Sequence, residues 1–274
     1  MKGNLSSIKN LAWAVAILLC LLVLFIALII AAATPYSGDI VRGGVQLNDL
    51  GAESESEAPL ATEEPLGDLL QVGESGDAGQ AYLDGLIFLC DSSVIGLRDY
   101  GLLPGGTSTN QVWGTTAGNL PARDLADCRI RFPADGTERT PAEAAALTRP
   151  ARLVIIVGTD GLDGMDEDSF VEGYVALIRS IQQSSPNTVI IVCSISSVTT
   201  GYSGVDRVNA NTIRTVNEWI KTVCMRTGVY YCDSAYAVND RAGWLDGDYA
   251  AVNGKSLNTA GLQKFLEYLR SHAV

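Results

Sequence analysis

Residues 153–195 read LVIIVGTDGLDGMDEDSFVEGYVALIRSIQQSSPNTVIIVCSI. The continuous Val/Ile runs at its two ends, LVIIVG (153–158) and TVIIVCSI (188–195), are typical of strands buried on both faces of a parallel sheet. Between them, from Asp166 to Ser184, apolar residues recur at helical spacing. This stretch therefore predicts a strand, a helix and a second strand parallel to the first.

The same alternation continues on both sides of this stretch. LIFLC (Leu86–Cys90) and VYYC (Val229–Cys232) are further buried runs, and CRIRF (Cys128–Phe132) is a weaker, partly exposed one. Strands that alternate with helices predict an α/β fold of three layers, in which helices cover both faces of an open parallel sheet. In such folds the functional site lies at the carboxyl ends of the strands.

Three further helices are predicted between and after these strands. Thr140 precedes Pro141 and is followed three residues later by Glu143, which is the signature of a capping box with proline at the first helical position. Apolar stripes predict a helix within Val205–Thr227 and a last helix for which Thr259 could serve as the cap.

An uncharged, proline-free run of 23 apolar residues occupies Leu11–Ala33 and is long enough to span a bilayer. Lys2 and Lys9 precede it, so we expect residues 1–10 in the cytoplasm and the rest of the chain outside, anchored in the cell membrane by a single pass. A cleaved signal peptide is the alternative, but this run is longer than the apolar part of a typical signal.

Residues 34–81 show no strong periodicity and are rich in Glu, Ser, Ala, Gly and Pro. Such a composition cannot bury enough apolar surface to offset the entropy of ordering the chain. We therefore predict a disordered acidic spacer over 34–81, followed by a folded domain over 82–274.

Charge and cysteine content exclude some classes of function. The formal net charge of -12 argues against a nucleic-acid partner, which would require a basic surface. Six cysteines are present without a CxxC pair, which argues against a zinc ribbon or a thioredoxin-type site. The sequence leaves open whether Cys224 and Cys232 form a disulfide. We expect no metal and no cofactor.

From about Leu86 to the end, a series of blocks resembles the SGNH/GDSL hydrolases, in that family's order. Asp91-Ser92-Ser93 after the first strand is similar to the Gly-Asp-Ser block that carries the nucleophile. LVIIVGTDGL (153–162) is similar to the block in which Gly-x-Asn supplies an oxyanion-hole asparagine, and 169–198 resembles the helix and strand that follow it. GWLDGDYAAVNGKSLNTAGLQKFLEYLRSH (243–272) is similar to the final segment, in which Asp-Gly-x-His-Leu-Asn supplies the triad acid and base. The resemblance implies a flavodoxin-like α/β/α fold.

The resemblance also implies that most of the family's catalytic residues are replaced here. Ser92 matches the nucleophile, but Asp160 stands at the position of the oxyanion asparagine. Asn253 stands at the triad aspartate and Ser256 at the triad histidine. Cys90 stands in place of the glycine before Asp-Ser, and the remaining oxyanion glycine has no clear match within residues 101–118.

These replacements predict an impaired enzyme. A serine hydroxyl is a weak nucleophile until a nearby base takes its proton, and Ser256 cannot act as that base. Asp160 places an anion where the oxyanion needs donors. His272, the only histidine, follows the last helix, and we interpret it as an exposed residue near a helix C-terminus.

We therefore expect a degenerate SGNH domain that serves as a binding or scaffold module at the cell envelope. Its expected partners are the membrane, through the N-terminal helix, and acylated glycans or envelope proteins. The alternative is an active esterase or acetylesterase that uses Ser92 with a base not recognised in the sequence.

Three other patterns have plainer interpretations. Asp91-Ser92-Ser93 could be only the cap of a following helix. The acidic residues from Asp160 to Asp168 could hold calcium, although acids at the start of a helix are better explained by its dipole. Asp246 and Asp248 could form a carboxylate pair for glycoside cleavage, but two acids in a glycine-rich turn are more often solvated.

Overall fold

The computed structural model describes residues 66–204, 206 and 208–274. Within those residues, no helix is both long enough and apolar enough to cross a membrane. The predicted anchor, Leu11–Ala33, lies outside the described residues. So do the predicted cytoplasmic residues 1–10 and most of the predicted spacer.

A six-stranded sheet forms the centre of the fold, and every neighbouring pair of its strands runs parallel. Its spatial order is β1-β8-β7-β6-β2-β3. These strands are β1 (Leu70–Gln71), β2 (Leu86–Cys90), β3 (Val112–Trp113), β6 (Arg152–Ile156), β7 (Val189–Cys193) and β8 (Tyr230–Cys232). A separate antiparallel pair consists of β4 (Ile130–Arg131) and β5 (Glu138–Arg139).

Six α-helices connect or follow these strands in the described part of the chain. They are α1 (Gly79–Asp84), α2 (Gly96–Asp99), α3 (Pro141–Thr148), α4 (Glu167–Ser184), α5 (Ala210–Thr227) and α6 (Thr259–Arg270). Helix α4 contacts both α3 and α5, whereas α1 and α2 contact α6. Four of the five residues of β6 are buried, as expected when both faces of a strand are covered. The predicted α/β parallel-sheet fold is confirmed.

Side chains at the helix starts explain where the helices begin. The capping box predicted at Thr140 is present, because its hydroxyl accepts the N–H of Glu143 while the Glu143 carboxylate accepts the N–H of Thr140. Asp166 caps α4 by accepting the N–H of Ser169. The last helix is capped by Asn258, not by the predicted Thr259, which is its first residue.

The weaker, partly exposed run Cys128–Phe132 contributes the two-residue β4, which pairs with β5 outside the main sheet. One sequence prediction places a boundary wrongly. The structured part begins earlier than the predicted Tyr82, because Leu70–Gln71 pairs with β8 and α1 begins at Gly79. Backbone hydrogen bonds to a sheet edge, which require no apolar side chains, hold β1 in place.

The five cysteines in the described residues are unbridged and buried, so Cys224 and Cys232 form no disulfide. Burial raises the pKa of the Cys128 thiol to about 12, and it raises the pKa of Cys224 to the same value. These thiols behave as small apolar side chains of the core.

Candidate active site

The carboxyl ends of β2 and β6 meet at the point where the strand order reverses. β2 lies between β3, the next main-sheet strand in the chain, and β6, from which the sheet grows in the other direction. A ligand crevice is expected at such a switch point in an open α/β sheet. The segments that follow these two strands carry Ser92 and Asp160.

Asp91 joins the segment after β2 to the segment after β6 through hydrogen bonds. Its buried carboxylate accepts the N–H groups of Gly158 at 3.0 Å, Thr159 at 2.7 Å and Ser93 at 2.9 Å. Burial raises the pKa of Asp91, and the nearby charge of Asp160 raises it further, while the hydrogen bonds from Ser93 oppose the shift. Asp91 therefore fixes the geometry of both segments and is not exposed to a substrate.

The Ser92 hydroxyl is hydrogen-bonded to the carboxylate of Asp160. Ser92 Oγ donates to Asp160 Oδ1 at 2.6 Å, and the backbone N–H of Ser92 donates to Asp160 Oδ2 at 3.0 Å. The N–H of Leu120 donates to the same Oδ2 at 3.2 Å. Two converging backbone N–H groups beside a serine are the usual form of an oxyanion hole. In this protein one oxygen of Asp160 accepts both of them.

Lys255 completes the surroundings of Asp160. Its Nζ lies 3.0 Å from Asp160 Oδ1 and 3.0 Å from Asp206 Oδ2. Burial alone would lower the pKa of Lys255, but the two carboxylates outweigh burial and raise it. Burial would likewise raise the pKa of Asp206, yet the Tyr202 hydroxyl and Lys255 lower it. Lys255 is therefore an ammonium at neutral pH and bridges two carboxylates.

The final segment of the chain contacts the Ser92 loop. Ser256 Oγ donates to the carbonyl oxygen of Ser92 at 2.8 Å, and Asn253 Nδ2 donates to Ser256 Oγ at 3.0 Å. The N–H of Leu257 donates to the carbonyl oxygen of Ser93 at 2.9 Å, which joins the segment to the β2 loop. Asn253, Ser256 and the Ser92 loop thus form a connected chain of hydrogen bonds. The hydroxyl of Ser256 is hydrogen-bonded to the backbone carbonyl of Ser92, whereas Ser92 Oγ is hydrogen-bonded to Asp160.

The structure thus brings Ser92, Asp160, Asn253 and Ser256 into one hydrogen-bonded cluster. His272 lies elsewhere. Its Nδ1 is 2.9 Å from the carbonyl oxygen of Tyr268, and its ring stacks on the Tyr268 ring with 3.7 Å between centroids. Helix α6 starts beside the Ser92 loop and has 12 residues, so it carries His272 about 18 Å away from its start.

The structure gives a separate result for each of the three other sequence patterns. The cap of α2 is Ile95, without a side-chain bond, so Asp91-Ser92-Ser93 does not cap that helix. Glu167 and Asp168 occupy the first turn of α4, as the dipole explanation predicts. Among the residues that the structure describes, no three His, Cys, Asp or Glu side chains are placed to hold a metal ion. Asp246 accepts the N–H of Asp248 at 2.9 Å within an exposed turn.

Four participants were not identified from the sequence: Leu120, Tyr202, Asp206 and Lys255. The Leu120 donor lies two residues beyond residues 101–118, where the resemblance implies the oxyanion glycine. Lys255 stands between the two matched positions Asn253 and Ser256, and its charge complements the carboxylate at position 160. The opposite charges of Lys255 and Asp160 are the sequence signal that could have identified the pair, but only the fold shows that the two side chains are in contact.

Comparison with known proteins identifies the domain. The family model of GDSL-like lipases/acylhydrolases matches residues 91–254, which is more than half of the chain. The match starts at Asp91 and ends at Gly254, so it includes Ser92, Asp160 and Asn253 but stops before Ser256. A search of curated protein sequences finds no significant match.

Similar solved structures include the following three, each of them at most 20% identical to this chain. One, assigned to the G-D-S-L family of lipolytic proteins, is from Desulfitobacterium hafniense DCB-2; it is 20% identical, with 69% of this chain and 98% of that chain covered and a TM-score of 0.46. A carbohydrate esterase family 3 structure from Talaromyces cellulolyticus is 15% identical, covering 68% and 92%, with a TM-score of 0.42. A DUF4886 family protein from Bacteroides uniformis ATCC 8492 is 13% identical, covering 69% and 82%, with a TM-score of 0.46.

Proposed function

The chain belongs to the GDSL-like lipase/acylhydrolase family, and we propose that it is a catalytically impaired member that acts as a binding or scaffold module at the cell envelope. The observation that carries this proposal is the position of Asp160. Its Oδ2 accepts the two backbone N–H groups, of Ser92 and Leu120, that an oxyanion would need, and its Oδ1 accepts the Ser92 hydroxyl.

A carboxylate in that place opposes ester cleavage in two ways. The donors that should stabilise the developing oxyanion are already used, and loss of one such donor costs about 10²–10³ in rate. A fixed negative charge also stands where the negative charge of the tetrahedral intermediate would form. Because the two effects act at the same atom, the substrate carbonyl would have to displace Asp160 before it could react.

The second support is the missing base. The only imidazole of the chain is at the far end of α6, and Ser256 offers a hydroxyl to the Ser92 backbone. Lys255 could replace the histidine only as a neutral amine, but the raised pKa of Lys255 keeps it protonated. Loss of a complete triad costs on the order of 10⁶ in rate.

Anchoring to the cell membrane remains part of the proposal. It is supported by the uncharged run Leu11–Ala33 and by Lys2 and Lys9 before it, which favour a cytoplasmic amino terminus and an outer domain. Protease added to intact cells should then digest the epitope-tagged domain while the anchor stays in the membrane fraction. A domain that resists protease until the cells are lysed would contradict this orientation.

A second candidate function rests on one contact. The distance of 2.6 Å from Ser92 Oγ to Asp160 Oδ1 is suitable for proton transfer, so Asp160 could act as the base of an unusual esterase. This reading requires Asp160 to leave the two backbone donors after it takes the proton. It also requires Lys255, which lies 3.0 Å from the same oxygen, to release it.

Turnover of 4-nitrophenyl acetate by the full-length chain tests the two functions. We expect the wild type to match the Ser92→Ala variant, because surface nucleophiles would produce the same background in both proteins. Turnover that disappears in Ser92→Ala and also in Asp160→Asn would contradict the proposal and support Asp160 as the base. Turnover that disappears in Ser92→Ala but rises in Asp160→Asn would show an active serine that the carboxylate restrains.

A further inference from the structure

A groove of about 550 Å³ lies at the carboxyl ends of β7 and β8, between residues 210–221 of α5 and residues 233–243, which follow β8. This volume is within the range of small-molecule sites. Neither Ser92 nor Asp160 lines this groove or three other cavities in the described residues. The groove is therefore separate from the candidate active site.

The wall of the groove contains an unpaired hydroxyl. Ser197, which follows β7, is only 2% exposed, and its Oγ has no hydrogen-bond partner among the described residues. Its backbone N–H is bonded to Asn239 Oδ1 at 3.1 Å, so the segment is held rigidly while the hydroxyl remains unsatisfied. An unpaired buried hydroxyl is destabilising, and a hydrogen bond with a ligand in the groove would offset that cost.

Charged side chains in the groove balance one another. Three cations and three anions line it: Arg214, Lys221, Arg241, Glu218, Asp233 and Asp240. Several are already engaged within the protein. Lys221 pairs with Glu218 at 2.8 Å, and Asp240 accepts the N–H groups of Ala242 and Trp244. The groove therefore has no surplus charge to attract an anion or a cation, and its side chains suit a neutral ligand rich in hydroxyl groups.

Tyr236 gives the groove an aromatic surface. It lies in the single turn of 3₁₀-helix that follows β8, it lines the groove, and it is 79% exposed. An exposed aromatic ring offers a flat apolar face together with a polar hydroxyl. The C–H face of a pyranose ring matches that surface, while the hydroxyls of the sugar match the amides and charged groups opposite.

We propose that this groove binds a neutral oligosaccharide, with one sugar ring stacked on Tyr236 and its hydroxyls bonded to the polar wall that includes Ser197. This binding does not use Ser92, so it extends the role of the domain beyond the candidate active site. It also holds whether or not that site retains activity.

Isothermal titration calorimetry on the full-length chain tests this proposal. The detergent must lack a sugar headgroup, and the probes are chitotetraose, cellotetraose and sodium sulfate. We expect at least one tetrasaccharide to bind with a dissociation constant of about 1 mM or tighter. Tyr236→Ala should weaken that binding at least about tenfold. Tyr100→Ala, which removes another exposed ring outside the groove, should leave it unchanged.

The proposal is overturned if neither tetrasaccharide binds saturably, or if Tyr236→Ala binds as tightly as the wild type. Binding of sulfate without binding of either sugar would show that the groove selects an anion instead. The titration is repeated on Ser92→Ala and Asp160→Asn, in which sugar binding should persist. Binding that is lost in those two variants but retained in Tyr236→Ala would place the sugar in the candidate active site and would also overturn the assignment of this groove.

Discussion

Replacing Lys255 with methionine should destabilise the domain by a predictable amount. The side chain of Lys255 is 13% exposed and that of Asp160 is 10% exposed, with 3.0 Å between Nζ and Oδ1. Breaking a fully buried ion pair costs about 3–5 kcal/mol, whereas an exposed pair contributes about 0–1 kcal/mol. In Lys255→Met, Asp160 keeps the donors of Ser92 and Leu120. We therefore expect a loss of about 2 kcal/mol, between the two limits.

The assay is equilibrium unfolding of the full-length chain at pH 7, followed by circular dichroism in urea and on heating. A loss of about 2 kcal/mol corresponds to a melting temperature lower by about 4–8 °C for a domain of this size. The matched control is Lys264→Met. Lys264 is 47% exposed and lies 3.5 Å from Glu267, so its replacement should cost no more than about 0.5 kcal/mol.

A double-mutant cycle isolates the contact. The double variant of Lys255→Met and Asp160→Asn should be more stable than the sum of the single losses predicts, with a coupling energy of about 1–2 kcal/mol. Additive losses, or a Lys255→Met loss no larger than that of the Lys264 control, would show that the ammonium does not hold the Asp160 carboxylate in place.

Two further predictions concern the residues around Asp160. The triple variant Asp160→Asn, Asn253→Asp, Ser256→His should hydrolyse an aryl ester about 10²–10⁴ times faster than the wild type, because it supplies an amide donor, an acid and a base. A triple variant that is folded but inactive in a kinetic assay would count against the matching of these positions to the family. The pKa of Lys255 is raised above its unfolded value of 10.5, so its contribution to stability should be lost as pH rises above that value. The pKa of Asp206 is lowered below its unfolded value of 3.8, so its contribution should be lost as pH falls below that value. Between pH 3.8 and 10.5 both contributions should be complete. Melting temperatures of the wild type and Lys255→Met, measured from pH 2 to 11, should therefore differ most in the middle of the range, and a constant difference down to pH 2 would refute this assignment.

Local sequence signals were sufficient for most of the fold. The Val/Ile runs at 153–158 and 188–195 predicted two neighbouring buried strands, because only residues covered on both faces can be apolar without interruption. Thr140 with Glu143 predicted the exact start of a helix, since a capping box satisfies two backbone groups within four residues. Strand β1 escaped detection because two residues are too few for a pattern and a sheet edge holds them through backbone bonds.

The candidate site was only half predictable. The order of short blocks pointed to Ser92, Asp160, Asn253 and Ser256, and the structure places all four in one hydrogen-bonded cluster. The sequence could not reveal the bond from Ser92 to Asp160, which spans 68 positions, or the pairing of Asp160 with Lys255. Such contacts depend on which strand ends meet, and no periodicity along the chain encodes them.

Labelling by a fluorophosphonate probe tests the central claim most directly, because the probe reacts with a serine only when a base and oxyanion donors activate it. The full-length wild type would be treated with the probe, digested and mapped by mass spectrometry, with Ser92→Ala as the reference. The structure predicts no adduct on Ser92, because Asp160 occupies its hydroxyl and both backbone donors. A stoichiometric adduct on Ser92 would show that the serine is an active nucleophile and would contradict the account.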